Sequence, residues 1–302
     1  MKLPKKLLIA LLFIPTLLFS QAENQFNGVN MNESLAIVQT KLNGIVASSK
    51  VISVKDPVFP LAKNEEQHLV CSEIKTETGI ISKAVFTFAD DQLTYIEAHG
   101  NVEQSLASNL TDTLSHYMGY EIYSKQKLFI NTKKDIAWIM TKEAMHPNLF
   151  VWENPYLKTQ KNEALNNTGL IPAFLKMGTP FNELKASLEA NSAFTTKEEL
   201  DGSDPNAQYQ INCFGVNYLG FPRKAEARFG DDKLNMVWIL TGKGEEDRVR
   251  QALTKQYGPP IFEDDAWEVY NNWQVGLRKD KPEVLLLEQQ IGLGYKKSYF
   301  KQ

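Results

Sequence analysis

At 302 residues the chain has room for about two domains of ordinary size. It is 43% hydrophobic and 23% charged, with 33 Lys+Arg against 36 Asp+Glu, a formal charge of −3. These values exclude collagenous, low-complexity, disulfide-scaffold and polytopic membrane chains, and they lack the basic excess that accompanies nucleic-acid binding. They name no substrate and no reaction.

The chain opens as a secretory signal does. Lys2, Lys5 and Lys6 form a positive start, Leu7 to Phe19 are apolar apart from Pro15 and Thr16, and Ser20-Gln21-Ala22 supplies small residues at the two positions that govern cleavage. Thirteen helical residues reach about 20 Å, short of the roughly 30 Å hydrocarbon core, so a cleaved signal is expected over a membrane anchor. Cleavage near Ala22 places the chain in the periplasm, or outside the cell, with 30 basic and 36 acidic residues. No cysteine follows to take a lipid. No later apolar run approaches 18 residues, so stable membrane insertion after cleavage is not expected.

Leu35, Val38, Leu42 and Ile45 recur at helical spacing and predict a first helix. Ala84, Phe86 and Phe88 then alternate with polar residues, Asp90-Asp91 forms a turn, and Leu93 and Tyr95 begin the returning strand. Val102, Leu106, Leu110, Leu114 and Tyr117 predict a second helix. Strands follow at Leu128 to Ile130 and Ile136 to Met140, and the polar stretch from Asn154 to Gly169 predicts a linker.

Beyond it the order returns. Thr179 as N-cap with Pro180 at the first helical position starts a helix carrying Phe181, Leu184 and Leu188. Ala225, Ala227 and Phe229 alternate, Asp231-Asp232 turns, and Leu234, Met236 and Trp238 return. Val249, Leu253 and Tyr257 form a helix stopped by Gly258 and two prolines. Strands follow at Trp267 to Tyr270, Trp273 to Leu277 and Val284 to Leu287, and Ile291-Gly-Leu-Gly-Tyr295 reads as part of a terminal strand.

This recurrence is a duplication. A shift of 141 residues superimposes Gly79 to Leu93 on Gly220 to Leu234 with seven of fifteen pairs identical. The expected organisation is a signal over 1–22, a first α+β repeat over 23–153, a linker over 154–169 and a second α+β repeat over 170–302. Each repeat has helices on one face of an antiparallel sheet.

The segments Met177-Gly-Thr-Pro-Phe-Asn-Glu-Leu184 and, more loosely, Met31-Asn-Glu-Ser-Leu35, with the Asp-Asp hairpins after them, resemble exported domains of the beta-lactamase-inhibitory-protein type and their outer-membrane-assembly lipoprotein relatives. The chain departs from them in having no lipobox cysteine, no cysteine pair within one copy, and longer copies. The resemblance implies a non-enzymatic domain that binds another protein through its sheet.

The chemistry-bearing residues are sparse. Asp90-Asp91 and Asp231-Asp232 suit turns with positive φ better than a catalytic pair across a cleft. The histidines, His68, His99, His116 and His146, all lie in the first copy, with no metal-ligand spacing. No nucleophile elbow, phosphate loop or dinucleotide fingerprint occurs. No metal and no cofactor are therefore expected.

Cys71 and Cys213 occupy equivalent positions, either as a disulfide between copies or as two buried thiols. Tyr218, Leu219 and Phe221 lie in a loop that is wholly polar in the first copy, so they either meet a partner or pack on the other copy. Trp152, Tyr156 and Trp273 form a second aromatic group near the ends of the copies.

The expected function is a non-enzymatic binding or adaptor protein whose partner is another envelope or exported protein. One alternative is an inhibitor or immunity-type protein of an exported enzyme. Another is an enzyme with its site in the first repeat.

Overall fold

The structure is a computed structural model that describes residues 26–110, 114–117, 119–157, 168–281 and 283–300. The expected signal, residues 1–22, lies outside the described residues, as do 158–167 of the expected linker.

The first repeat runs α1 (Leu35–Leu42), β1 (Val46–Val54), β2 (Glu66–Lys75), β3 (Ile80–Ala89), β4 (Gln92–His99), α2 (Val102–Leu106), β5 (Leu114–Tyr117), β6 (Tyr120–Tyr123), β7 (Leu128–Asn131) and β8 (Ile136–Met140), then a 3-10 turn at Pro147–Phe150. The second runs α3 (Phe181–Ala190), β9 (Phe194–Glu199), β10 (Tyr209–Tyr218), β11 (Phe221–Gly230), β12 (Lys233–Leu240), α4 (Glu246–Tyr257), β13 (Phe262–Glu263), β14 (Trp267–Tyr270), β15 (Val275–Arg278), β16 (Glu283–Leu287) and α5 (Gln289–Ser298).

Among the described residues each repeat forms one eight-stranded antiparallel sheet. The strand orders are β1-β2-β3-β4-β8-β7-β6-β5 and β9-β10-β11-β12-β16-β15-β14-β13, the same topology twice. The chain is thus two tandem α+β domains, as the duplication predicts.

Local chemistry explains the shared frame. Asp90 and Asp91 have φ of 50° and 59°, and Asp231 and Asp232 repeat those values, so each pair makes the left-handed two-residue hairpin turn. The carboxylates also act beyond the turn. Asp90 accepts from the backbone N–H of Lys63, Asn64 and Glu65, and Asp91 accepts from the N–H of Leu35 at the start of α1.

The lead-in segment pairs with the residue after the turn. Asn32 and Glu33 bracket Leu93 with two backbone hydrogen bonds of 2.8 and 2.9 Å, and Gly178 and Thr179 bracket Leu234 with bonds of 2.8 and 3.0 Å. Both Asn32 (φ 68°) and Gly178 (φ 76°) are left-handed there. Helix α3 begins one residue later than expected, with Pro180 itself as N-cap.

Each sheet buries a front face under helices. Leu69, Cys71, Phe86, Phe88, Ile96 and Ile139 meet Val38 and Leu42 of α1 and Val102 and Leu106 of α2. Ile211, Cys213, Ala227, Phe229, Val237 and Leu286 meet Leu184 and Leu188 of α3 and Val249 and Leu253 of α4.

Two expected elements are corrected. The helix over Val102 to Tyr117 stops at Leu106, and Leu114–Tyr117 is the exposed edge strand β5, paired with β6. Residues 111–113 lie outside the described residues. Ile291 to Tyr295 is helical, part of α5, which covers the back face of the second sheet over Met236, Trp267, Leu285 and Leu287. Gly292 permits that approach, since a Cβ there would stand 2.2 Å from the Trp273 carbonyl oxygen.

Candidate functional site

The residues singled out by sequence lie inside the molecule. Tyr218 (2% exposed) and Leu219 (3%) join the front-face core of the second repeat. Phe221 is fully buried between the repeats, stacked on Trp152 at 5.5 Å and set edge-on to Phe59 at 6.4 Å. Trp273 is buried against Phe262 and Phe300, with Lys296 of α5 over its ring. None of the five aromatic and aliphatic candidates is available as a surface, which corrects the expectation of an exposed docking loop. The alternative of packing on the other copy describes Phe221, whereas Tyr218 and Leu219 pack within their own repeat.

Cys71 and Cys213 are free thiols in separate front-face cores, which matches the reading of two buried thiols and not that of a disulfide between copies. Burial pushes their pKa values up to about 12 and about 11, leaving both as inert apolar groups.

The back faces of the two sheets differ. In the first repeat the chain after β8 folds across the sheet and seals it. Phe59, Tyr95, Phe129, Trp138, Leu149, Trp152 and Phe221 form one cluster there. Beside it Asn154, fully buried, ties two Glu–His pairs together. Its N–H donates to Glu97 Oε2 (2.9 Å), and its side-chain amide lies 3.4 Å from His68 Nδ1 and donates to Thr87 Oγ1 (3.2 Å).

His68 Nε2 is 2.8 Å from Glu66 Oε1, and His99 Nε2 is 2.8 Å from Glu97 Oε1. Burial alone would raise the Glu66 carboxyl, but His68 and the N–H groups of Phe59 and Val58 hold it below the ordinary range. Every member is partnered, and only His99 reaches the surface appreciably. The network fastens Asn154, the first residue of the expected linker, onto the sheet.

The repeats are joined on the same side. Asn148 donates to the Leu240 carbonyl (2.9 Å) and accepts from the Lys224 N–H (2.7 Å). Arg223, fully buried, grips Glu245 with both guanidinium nitrogens (2.5 and 3.0 Å). Arg248 bonds Glu245 and also reaches the Phe59 and Ala62 carbonyls of the first repeat.

The second back face carries a polar strip that stays partly open. At alternate positions of β11, Lys224 and Arg228 flank Glu226, bonding it at 2.7 and 3.0 Å. Arg228 also donates to Gln210, which donates to Asn212 and Glu198, and Asn212 donates to Glu198 and Thr196. Aromatics bound the strip. Phe194 stacks on Phe214 at 4.4 Å beneath Lys224, and the Arg228 guanidinium lies over Trp238 at 5.8 Å. The Arg228, Lys224 and Glu226 side chains are 27%, 16% and 15% exposed.

Sequence reading passed over this strip, although its signal was present. Lys224, Glu226 and Arg228 recur at period two, where the first copy has Lys83, Val85 and Thr87.

Two clefts accompany the faces. One of about 500 Å³ lies between Asn101, Gln104, Tyr123 and Asp135, and one of about 690 Å³ lies between Ile171, Phe174, Asn191 and Tyr218. Neither is lined by a histidine. Among the described residues no His, Cys, Asp and Glu cluster could hold a metal ion, and no helix is long and apolar enough to cross a membrane. Comparison of the chain with protein-family models, curated proteins and solved structures gives no match.

Proposed function

We propose that the chain is an exported, non-enzymatic binding or adaptor protein acting through protein–protein contacts, with the back face of the second sheet as its recognition surface. The observation that carries this reading is the polar strip itself. Lys224, Glu226, Arg228 and Glu198 are held in fixed positions by one another and by the buried Gln210 and Asn212 beneath them, so little side-chain freedom is lost when a partner covers their open parts. Trp238 and Arg228 are residue types that anchor interfaces, and the mixed charges favour a partner of complementary pattern over a polyanion. The likeness of the lead-in segments to exported inhibitory and assembly domains points the same way.

Chemical crosslinking with mass spectrometry in the native envelope tests this. The parent chain is expected to give one dominant protein adduct, and the pair Glu226→Lys with Arg228→Glu is expected to lose it while the fold persists. The same adducts in both proteins would count against the strip. A stoichiometric complex that silences an exported enzyme would identify the adaptor more narrowly as an inhibitor.

A further inference from the structure

Sheet edges offer unpaired backbone groups, and proteins blunt them with charge, proline or short length. The second repeat does so at its outer strand β9, six residues long, where Lys197, Glu198 and Glu199 follow one another. Lys197 pairs with Glu199 and lies over Tyr209, while Glu198 turns onto Gln210 and Asn212.

The equivalent edge of the first repeat is less defended, with Lys50 as its single charge. Ser49 faces Cys71 across β1 and β2 just as Thr195 faces Cys213 across β9 and β10, so Val51, Ile52 and Ser53 stand where β9 has Lys197, Glu198 and Glu199. Strand β1 is nine residues long, without proline or a register shift in its pairing, and carries one charge, Lys50. It ends the sheet, and among the described residues nothing pairs with its outer side.

We propose that β1 pairs antiparallel with β1 of a second copy, joining two first-repeat sheets edge to edge about a two-fold axis at Val51. The strand can pair with itself along its length, which favours a second copy as occupant, and its single charge selects the register. A two-fold antiparallel pair sets residue i against i at its centre, and centring on Lys50 would oppose two ammonium groups, which destabilises the pair.

Centring on Val51 sets Val51 against itself, Lys50 against Ile52, Ser49 against Ser53 and Ser48 against Val54. Every residue from 48 to 54 then has a compatible partner over about 24 Å of strand. This contact is independent of the second back face.

Sedimentation velocity of the purified full-length protein, from about 1 µM to concentrations on the order of 100 µM, tests the proposal. Dimer is expected to grow over that range. Transferring the β9 charges as Val51→Lys, Ile52→Glu and Ser53→Glu is expected to weaken it about tenfold or more, with melting temperature and circular dichroism retained.

Single cysteines test the register whether or not that variant folds, because Cys71 and Cys213 are buried. Under mild oxidation Val51→Cys is expected to crosslink to itself. Ser53→Cys is expected not to, except when mixed with Ser49→Cys. A chain that stays monomeric, a dimer indifferent to the β9 charges, absence of the Val51 crosslink, or capture of a different protein at β1 by a monomeric chain would each overturn the proposal.

Discussion

The two back faces began as one design and diverged in what covers them. At equivalent positions within the shared β2/β3 and β10/β11 pairing, the first repeat has Thr87 under Asn154, and the second has Arg228 beside Glu226. The first face closes on its own chain through Trp152, Asn154 and the intruding Phe221. The second keeps a charged strip partly in water and seals only its far side with α5. A duplicated sheet can thus use the back face of one copy to join the molecule together while that of the other stays partly open.

The largest expected effect breaks the closed face. Phe221→Ala or Trp152→Ala removes an aromatic from the cluster joining the repeats and should cost about 3–5 kcal/mol in urea unfolding. Arg223→Ala should cost a comparable amount, about 3–5 kcal/mol, because Glu245 would remain buried without its bidentate partner.

Asn154→Ala should cost less, about 1–3 kcal/mol, by leaving His68 and Thr87 one hydrogen bond short. At the open face Glu226→Gln or Arg228→Gln should cost about 0.5–1.5 kcal/mol while lowering partner capture.

Acid distinguishes the joined side in another way. Burial pushes His146 down to about 4 from its ordinary 6.5, with Glu245 opposing and Arg223 and Lys224 adding to the fall. The folded chain therefore keeps His146 neutral while the unfolded chain protonates it. Its share of stability is complete above pH 6.5 and is lost as pH falls toward 4.

Glu66, held low, adds a loss at more acid pH, where the folded carboxylate takes up its proton. His146→Asn keeps an acceptor for the Asn148 N–H and should flatten the pH dependence of unfolding between 4 and 6.5.

The duplicated frame was legible because its signals are local. The period-two apolar residues of β3 and β11 and the Asp-Asp turns need no distant partner to be read. Helix α4 was legible because good helix formers fill its Val249, Leu253, Tyr257 stripe. The matching stripe at Val102 to Tyr117 misled, since Ser108, Asn109, Thr111 and Thr113 lie between its apolar positions and suit helix poorly.

Helix α5 was missed for the opposite reason. Gly292 weakens its local propensity but is needed against Trp273, a contact visible only in three dimensions. Burial of Tyr218, Leu219 and Phe221 was likewise tertiary, and the strip at Lys224, Glu226 and Arg228 looked like an ordinary solvated face until its cross-strand partners were placed.

The most direct test places one photo-crosslinking residue at Arg228 and, in a second protein, at the equivalent Thr87, and compares their adducts in the native envelope. The open-face account predicts a dominant partner adduct from position 228 and none from position 87. Adducts from 87 with silence at 228 would contradict it.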